Sequence, residues 1–123
     1  MSMTQKTDDL IERLEKASAP DRELDVAIVY ALYPEIGPYR PHCVGDEPIF
    51  YQDPFYKQRC PKFTASIDAA MRLVPEGWSW RVGNLPSGKG FADLGTQKSL
   101  QCIEGATPAI ALCIAALRVR SPR

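Results

Sequence analysis

The chain has 123 residues, 45% of them hydrophobic and 24% charged, with fifteen Lys+Arg against fifteen Asp+Glu. The length admits one domain with one core and excludes a second. The balanced charge excludes a global pull toward nucleic acid or an anionic membrane. Residues 1–16 are polar and acidic, without the apolar centre of a signal peptide. The longest apolar run, near 109–117, is too short to cross a bilayer. A soluble cytoplasmic protein is the expectation.

In chain order, a first helix is expected over about 7–17. Leu10, Ile11 and Leu14 form a narrow apolar stripe, and Glu12 and Lys16 stand at i, i+4 in the favourable order. A second helix is expected from Ser18, which forms a variant capping box with Asp21, with Pro20 in the first turn. Leu24, Ala27, Ile28, Ala31 and Leu32 make its buried stripe. Val26, Val29 and Tyr30 widen it, so more than one side of this helix is covered. Pro34 stops it.

Residues 34–61 change character. They hold Pro34, Pro38, Pro41, Pro48, Pro54 and Pro61, with Tyr39, Phe50, Tyr51, Phe55 and Tyr56 among them and Tyr33 leading in. Flexible tethers lack aromatics. An ordered excursion is expected, with a short strand near 49–52. It is read either as an apolar cover over the protein's own core or as an arm that closes on a ligand or partner.

A third helix follows, capped by Thr64 or Ser66, with Ile67, Ala70, Met71 and Val74 repeating along one side. Pro75 and Gly77 end it. Trp78-Ser79-Trp80-Arg81-Val82 alternates with period two and predicts a strand with Trp78, Trp80 and Val82 on one face. Residues 91–94 predict the returning strand, and 100–103 a further one. Thr107 as cap and Pro108 in the first helical position open a last helix that is apolar nearly all round. Such a helix lies at the centre of the core or in an oligomer interface.

Between the two hairpin strands stands Gly83-Asn84-Leu85-Pro86-Ser87-Gly88-Lys89-Gly90, one residue short of the phosphate-loop pattern G-x-x-x-x-G-K-[ST]. That motif needs a helix starting at once and a Ser/Thr hydroxyl for magnesium. Here Gly90 replaces the hydroxyl, and Gly95 falls where a second helical turn would be. Pro86-Ser87-Gly88 is good turn chemistry instead, so a hairpin is expected and no nucleotide site.

Other chemistry is sparse. The four cysteines form no C-x-x-C pair. His42, Cys43 and Cys60 supply three zinc ligands at most, without a fourth, so no metal is expected. His42 is the single histidine and has no nucleophile signature beside it. No catalytic residue and no cofactor are assigned. The candidates for a ligand site are His42 and Cys43 in the 34–61 segment, with Trp78 and Trp80 as a stacking face. Arg118, Arg120 and Arg123, with Lys89, are the candidates for a nucleic-acid contact.

Three segments carry a resemblance: Ala19-Pro20-Asp21-Arg22-Glu23-Leu24-Asp25; Phe63-Thr64-Ala65-Ser66-Ile67-Asp68-Ala69-Ala70 running to Leu73-Val74-Pro75-Glu76-Gly77-Trp78; and Ala106-Thr107-Pro108-Ala109-Ile110-Ala111-Leu112-Cys113 with Ala115-Ala116-Leu117-Arg118. In that order they resemble the phage ABA sandwich family of small bacteriophage and prophage proteins. The resemblance spans about 8–119 without the proline-rich segment. It implies a sheet covered by helices on both faces and supplies no activity and no catalytic residues.

The expected fold is α+β: a small antiparallel sheet of two to four strands, built on a hairpin at about 78–94 and sandwiched by about four helices. The C-terminal helix is expected to be the most buried. The expected function is that of a non-enzymatic phage or prophage accessory protein acting by protein–protein contact, as a homodimer. A ligand-binding or enzymatic domain using 34–61 as a lid, and a nucleic-acid binder using the C-terminal arginines, are the alternatives.

Overall fold

The structure is a computed structural model describing residues 3–33, 40–41, 48–50, 58–96 and 100–120. Its elements run α1 (Met3–Lys16), α2 (Arg22–Leu32), β1 (Arg40–Pro41), β2 (Pro48–Phe50), β3 (Gln58–Arg59), α3 (Ile67–Met71), β4 (Ser79–Asn84), β5 (Gly90–Gly95), β6 (Leu100–Gly105) and α4 (Pro108–Arg120). This is the α+β class expected, and α4 packs against the sheet.

Leu10, Ile11 and Leu14 of α1 are buried, and Lys16 pairs with Glu12 at 3.0 Å on its exposed side. The second helix starts later than expected. Asp21 rather than Ser18 is the cap, its carboxylate accepting from the Glu23 N–H at 2.8 Å. Pro20 therefore precedes the cap instead of sitting in the first turn. Leu24, Val26, Ile28 and Val29 are buried, and Ala27, Tyr30, Ala31 and Leu32 pack partly buried against the core, so α2 is covered on more than one side.

Ser66, one of the two expected caps, starts α3 by accepting from the Ala69 N–H. The expected stripe is only partly realised. Ala70 is buried, but Ile67 and Met71 are exposed, and Leu73 in the turn beyond is the buried leucine. A helix of five residues ends before a 3.6-residue stripe can develop.

Thr107 caps α4 through its Oγ1, which accepts from the Ile110 N–H at 3.2 Å, and Pro108 takes the first position. Every residue from Ala109 to Leu117 is buried. The reason is layering: β4, β5 and β6 touch α4 from one side, while α1 and α3 also pack on it and α2 packs on α1. The apolar helix is the middle layer.

The main sheet is an antiparallel meander in the order β4-β5-β6. Trp80 lies opposite Leu94 and Val82 opposite Ala92, while Ile103 lies opposite Ala92 from the other side. Ala92 and Leu94 are fully buried, so these positions define the face that meets α4. Trp78 precedes β4, and the strand alternation does not extend to it. The strand expected at 100–103 joins this sheet and runs on to Gly105. The one expected near 49–52 falls on β2, which pairs with β1 and β3 in a separate small sheet; residues 51–52 lie outside the described residues. Phe50 of β2 is wholly buried and meets Tyr30 edge-to-face, with centroids 5.9 Å apart. Phe50 and Cys60 of the proline-rich segment thus pack in the protein's own core.

Candidate functional site

Two places concentrate polar side chains: a buried network between α2 and the segment before α3, and the face of the main sheet turned away from α4.

Asp25 is fully buried in the first turn of α2. Its Oδ1 accepts from the backbone N–H and the Oγ1 of Thr64, both at 2.8 Å, and its Oδ2 accepts from Arg22 Nη1 at 2.7 Å. Thr64, also fully buried, accepts from the Asp21 N–H at 2.9 Å. Arg22 continues to the Cys60 and Pro61 carbonyls at 2.8 and 3.3 Å. The Cys113 thiol donates to the Phe63 carbonyl at 3.3 Å. The carboxylate is therefore paired and hydrogen-bonded on both oxygens, as a buried charge must be. Residues from all three segments that carry the resemblance meet here: Asp21, Arg22 and Asp25 from the first, Phe63 and Thr64 from the second, Cys113 from the third.

The thiols beside this network are poor nucleophiles. Burial pushes the Cys60 thiol up to about 12, with Arg22 opposing and Asp25 adding. Burial likewise raises Cys113, with Asp25 adding. Both stay protonated at neutral pH, and the thiolate is the reactive form. The network spans the junction between elements and pairs its polar groups internally, except Arg22 Nε, which is buried without a partner. Its chemistry is that of a clamp.

The opposite face of the sheet carries Ser79, Arg81 and Gly83 on β4, Phe91, Asp93 and Gly95 on β5, and Leu100, Cys102 and Glu104 on β6. Arg81, Asp93 and Cys102 are cross-strand neighbours in one row. Both Nε and Nη2 of Arg81 reach Asp93 Oδ2, at 3.2 and 2.6 Å. That hydrogen bond holds the Asp93 carboxyl below its ordinary range. The hydrogen bond between Cys102 and Asp93 raises the Cys102 thiol, so the exposed cysteine is also kept protonated. A groove of about 670 Å³ opens at the end of the sheet, lined by Gly77, Ser79, Trp80, Arg81, Asp93, Gly95, Thr96 and Leu100. Leu100 is 66% exposed and Trp80 38%.

Of the four ligand candidates from the sequence, His42 and Cys43 lie outside the described residues. Trp78 is partly buried and packs against the core, while Trp80 stands on the outer strand and lines the groove. The two tryptophans therefore differ in setting, one against the core and one at the groove. Among the arginine candidates, Arg118 pairs with Glu15 at 2.5 Å and Arg120 donates to the Leu73 carbonyl at 2.6 Å. Arg123 lies outside the described residues. The GNLPSGKG stretch joins β4 to β5 as a tight hairpin. The Gly88 N–H donates to the Leu85 carbonyl, the Leu85 N–H donates to the Lys89 carbonyl, and Gly88 takes a positive φ of 93°. This is the three-residue connection with glycine in the left-handed position.

Asp25 and the Arg81–Asp93 pair were not singled out by sequence reasoning, and Thr64 was named only as a helix cap. An acid between Leu24 and Val26 on an apolar helix was the available signal for the first. Among the described residues, no group of three His, Cys, Asp or Glu side chains is placed to hold a metal ion. No helix of the described residues is long and apolar enough to cross a membrane. No family model matches the chain, nor does any curated protein or solved structure.

Proposed function

We propose that this chain is a non-catalytic accessory protein of a phage or prophage, working by protein contact in the host cytoplasm and self-associating as a homodimer. The observation that carries this reading is the sheet. One face is sealed by α4. The other is turned away from α4 and presents Leu100 beside the Arg81–Asp93 pair, with Trp80 half-exposed on the outer strand β4 next to it. Mixed apolar and polar surface of this kind suits protein contact. The buried ionic groups hold elements together, and the three described thiols are kept protonated. The phage setting rests on the three-segment resemblance alone.

A photo-crosslinking residue at Leu100, on the open face, tests the reading in the host cell. The expected product is a discrete adduct removed by protease and untouched by nuclease. A nuclease-sensitive adduct would favour the nucleic-acid alternative, for which Arg118 and Arg120 are already engaged within the chain. Loss of crosslinking in the presence of a small metabolite would favour a ligand in the groove.

A further inference from the structure

We propose that two copies of this chain join through their β4 strands, antiparallel about a two-fold axis at Val82, to make one continuous six-stranded sheet. The proposal rests on the protein-contact reading and names the surface and the partner.

Strand β4 has a sheet neighbour on one side only, β5, among the described residues. None of its six positions is buried, whereas every second position of β5 is. It lacks several guards of an outer strand: there is no proline and no lysine in Ser79-Trp80-Arg81-Val82-Gly83-Asn84, its register with β5 runs without a bulge, and its one charge, Arg81, is paired with Asp93.

The direction of its backbone groups follows from the hairpin. The Leu85 N–H donates to the Lys89 carbonyl at 2.7 Å, which makes Leu85–Lys89 a bonded pair. In an antiparallel ladder bonded pairs recur at every second residue. Gly83–Phe91, Arg81–Asp93 and Ser79–Gly95 are therefore the bonded pairs. The N–H and C=O groups of Trp80, Val82 and Asn84 point away from β5, toward the edge.

These residues are complementary to themselves. With the axis at Val82, Trp80 of each copy lies opposite Asn84 of the other, and Val82 lies opposite Val82. All three edge-facing residues then exchange hydrogen bonds. Arg81 comes opposite Gly83 of the other copy, which has no side chain to oppose it. The Phe91 ring lies against Gly83, close enough that a Cβ there would stand 2.8 Å from it. Arg81 already sits 5.9 Å from the centre of its own Phe91 ring. In the dimer it has a second ring within reach, on the same face of the sheet. Moving the axis one residue, to Arg81, opposes two arginines in a closely spaced pair and leaves Asn84 beyond the other strand's start. The charge pattern thus selects the Val82 register. The formal net charge of zero adds no long-range repulsion between copies.

The test is sedimentation velocity of the full chain at tens of micromolar, beside Asn84→Pro and Val82→Pro. Each proline removes an edge-facing N–H and leaves the β4–β5 bonds intact. Asn84 is exposed, so its variant keeps the fold; far-UV circular dichroism verifies this. The expected result is a dimer of the 13.7 kDa chain, with the dissociation constant raised about tenfold or more by either proline. A wild-type dimer that both folded variants retain would place the interface elsewhere and overturn this proposal, while leaving the protein-contact reading standing. A strictly monomeric wild type would overturn the proposal together with the homodimer; the Leu100 crosslink then decides separately whether the chain contacts another protein.

Discussion

Gly90 and Gly105 stand directly opposite each other on β5 and β6, and the first turn of α4 rests on the bare backbone they leave. A Cβ at Gly90 would fall 2.1 Å from the Pro108 nitrogen, and one at Gly105 would fall 2.9 Å from the Ala111 nitrogen. These neighbours are helix backbone and cannot swing aside. Gly90→Ala is expected to cost about 3 kcal/mol or more and Gly105→Ala about 1–3 kcal/mol. Urea unfolding with far-UV detection measures both. A Gly90→Ala protein as stable as wild type would show that α4 does not need this approach.

The Asp25 clamp predicts a second ordering. Asp25→Ala leaves Arg22 and the Thr64 donors facing an emptied site, which is expected to cost about 3–5 kcal/mol. Thr64→Val keeps the volume but removes the hydroxyl, at an expected cost of about 1–3 kcal/mol. In a double-mutant cycle the two should couple strongly, because they share an oxygen. Simple additivity would mean that the two residues act independently and that the clamp is not a unit.

What the sequence made legible was local. The Thr107 cap, the Pro108 start, the β4 strand and the turn at Pro86-Ser87-Gly88 each depend on neighbours within a few residues, and each is found. The Ser18 cap failed at the same scale, because Asp21 competes for that role three residues on and its carboxylate reaches the Glu23 N–H. The two glycines were legible as glycines but not in their role. Gly90 read as turn material, and its function depends on a cross-strand partner and on where α4 lands. Asp25 is similar: its partner Thr64 is 39 residues away, and periodicity reports which side of a helix is buried, not what a buried acid pairs with. Of the candidate site, Trp80 was named beforehand, but Arg81 and Asp93 become a pair only through the β4–β5 register.

The Arg81–Asp93 pair gives a titration with a fixed sign. The hydrogen bond from Arg81 lowers the Asp93 carboxyl, so its contribution is present above the ordinary aspartate range and is lost as pH falls through the lowered value. Arg81 is 76% exposed, so the effect on global stability is small and the titration itself is the readout. Carboxyl NMR should place Asp93 below an ordinary aspartate, and Arg81→Gln should move it upward. In Asp93→Asn, the Cys102 thiol loses the partner that raises it, and alkylation at neutral pH should quicken. An unchanged rate would mean that Asp93 does not govern Cys102.

The alkaline side tests Cys60. Its thiol is held at about 12 in the folded chain against an ordinary 9.0. Between those values the unfolded chain releases a proton that the folded chain keeps. Stability from this group is therefore complete below about pH 9 and declines as pH rises toward 12. Cys113 is raised in the same direction and adds to the decline. Cys60→Ala removes one of the two contributions. Its unfolding free energy should fall less steeply with pH, by up to about 1.4 kcal/mol per pH unit within the window. Urea titrations at intervals from neutral pH upward give the slopes directly. Equal slopes for wild type and variant would mean that the Cys60 thiol ionises alike in the folded and unfolded chains, and that its burial does not hold the proton.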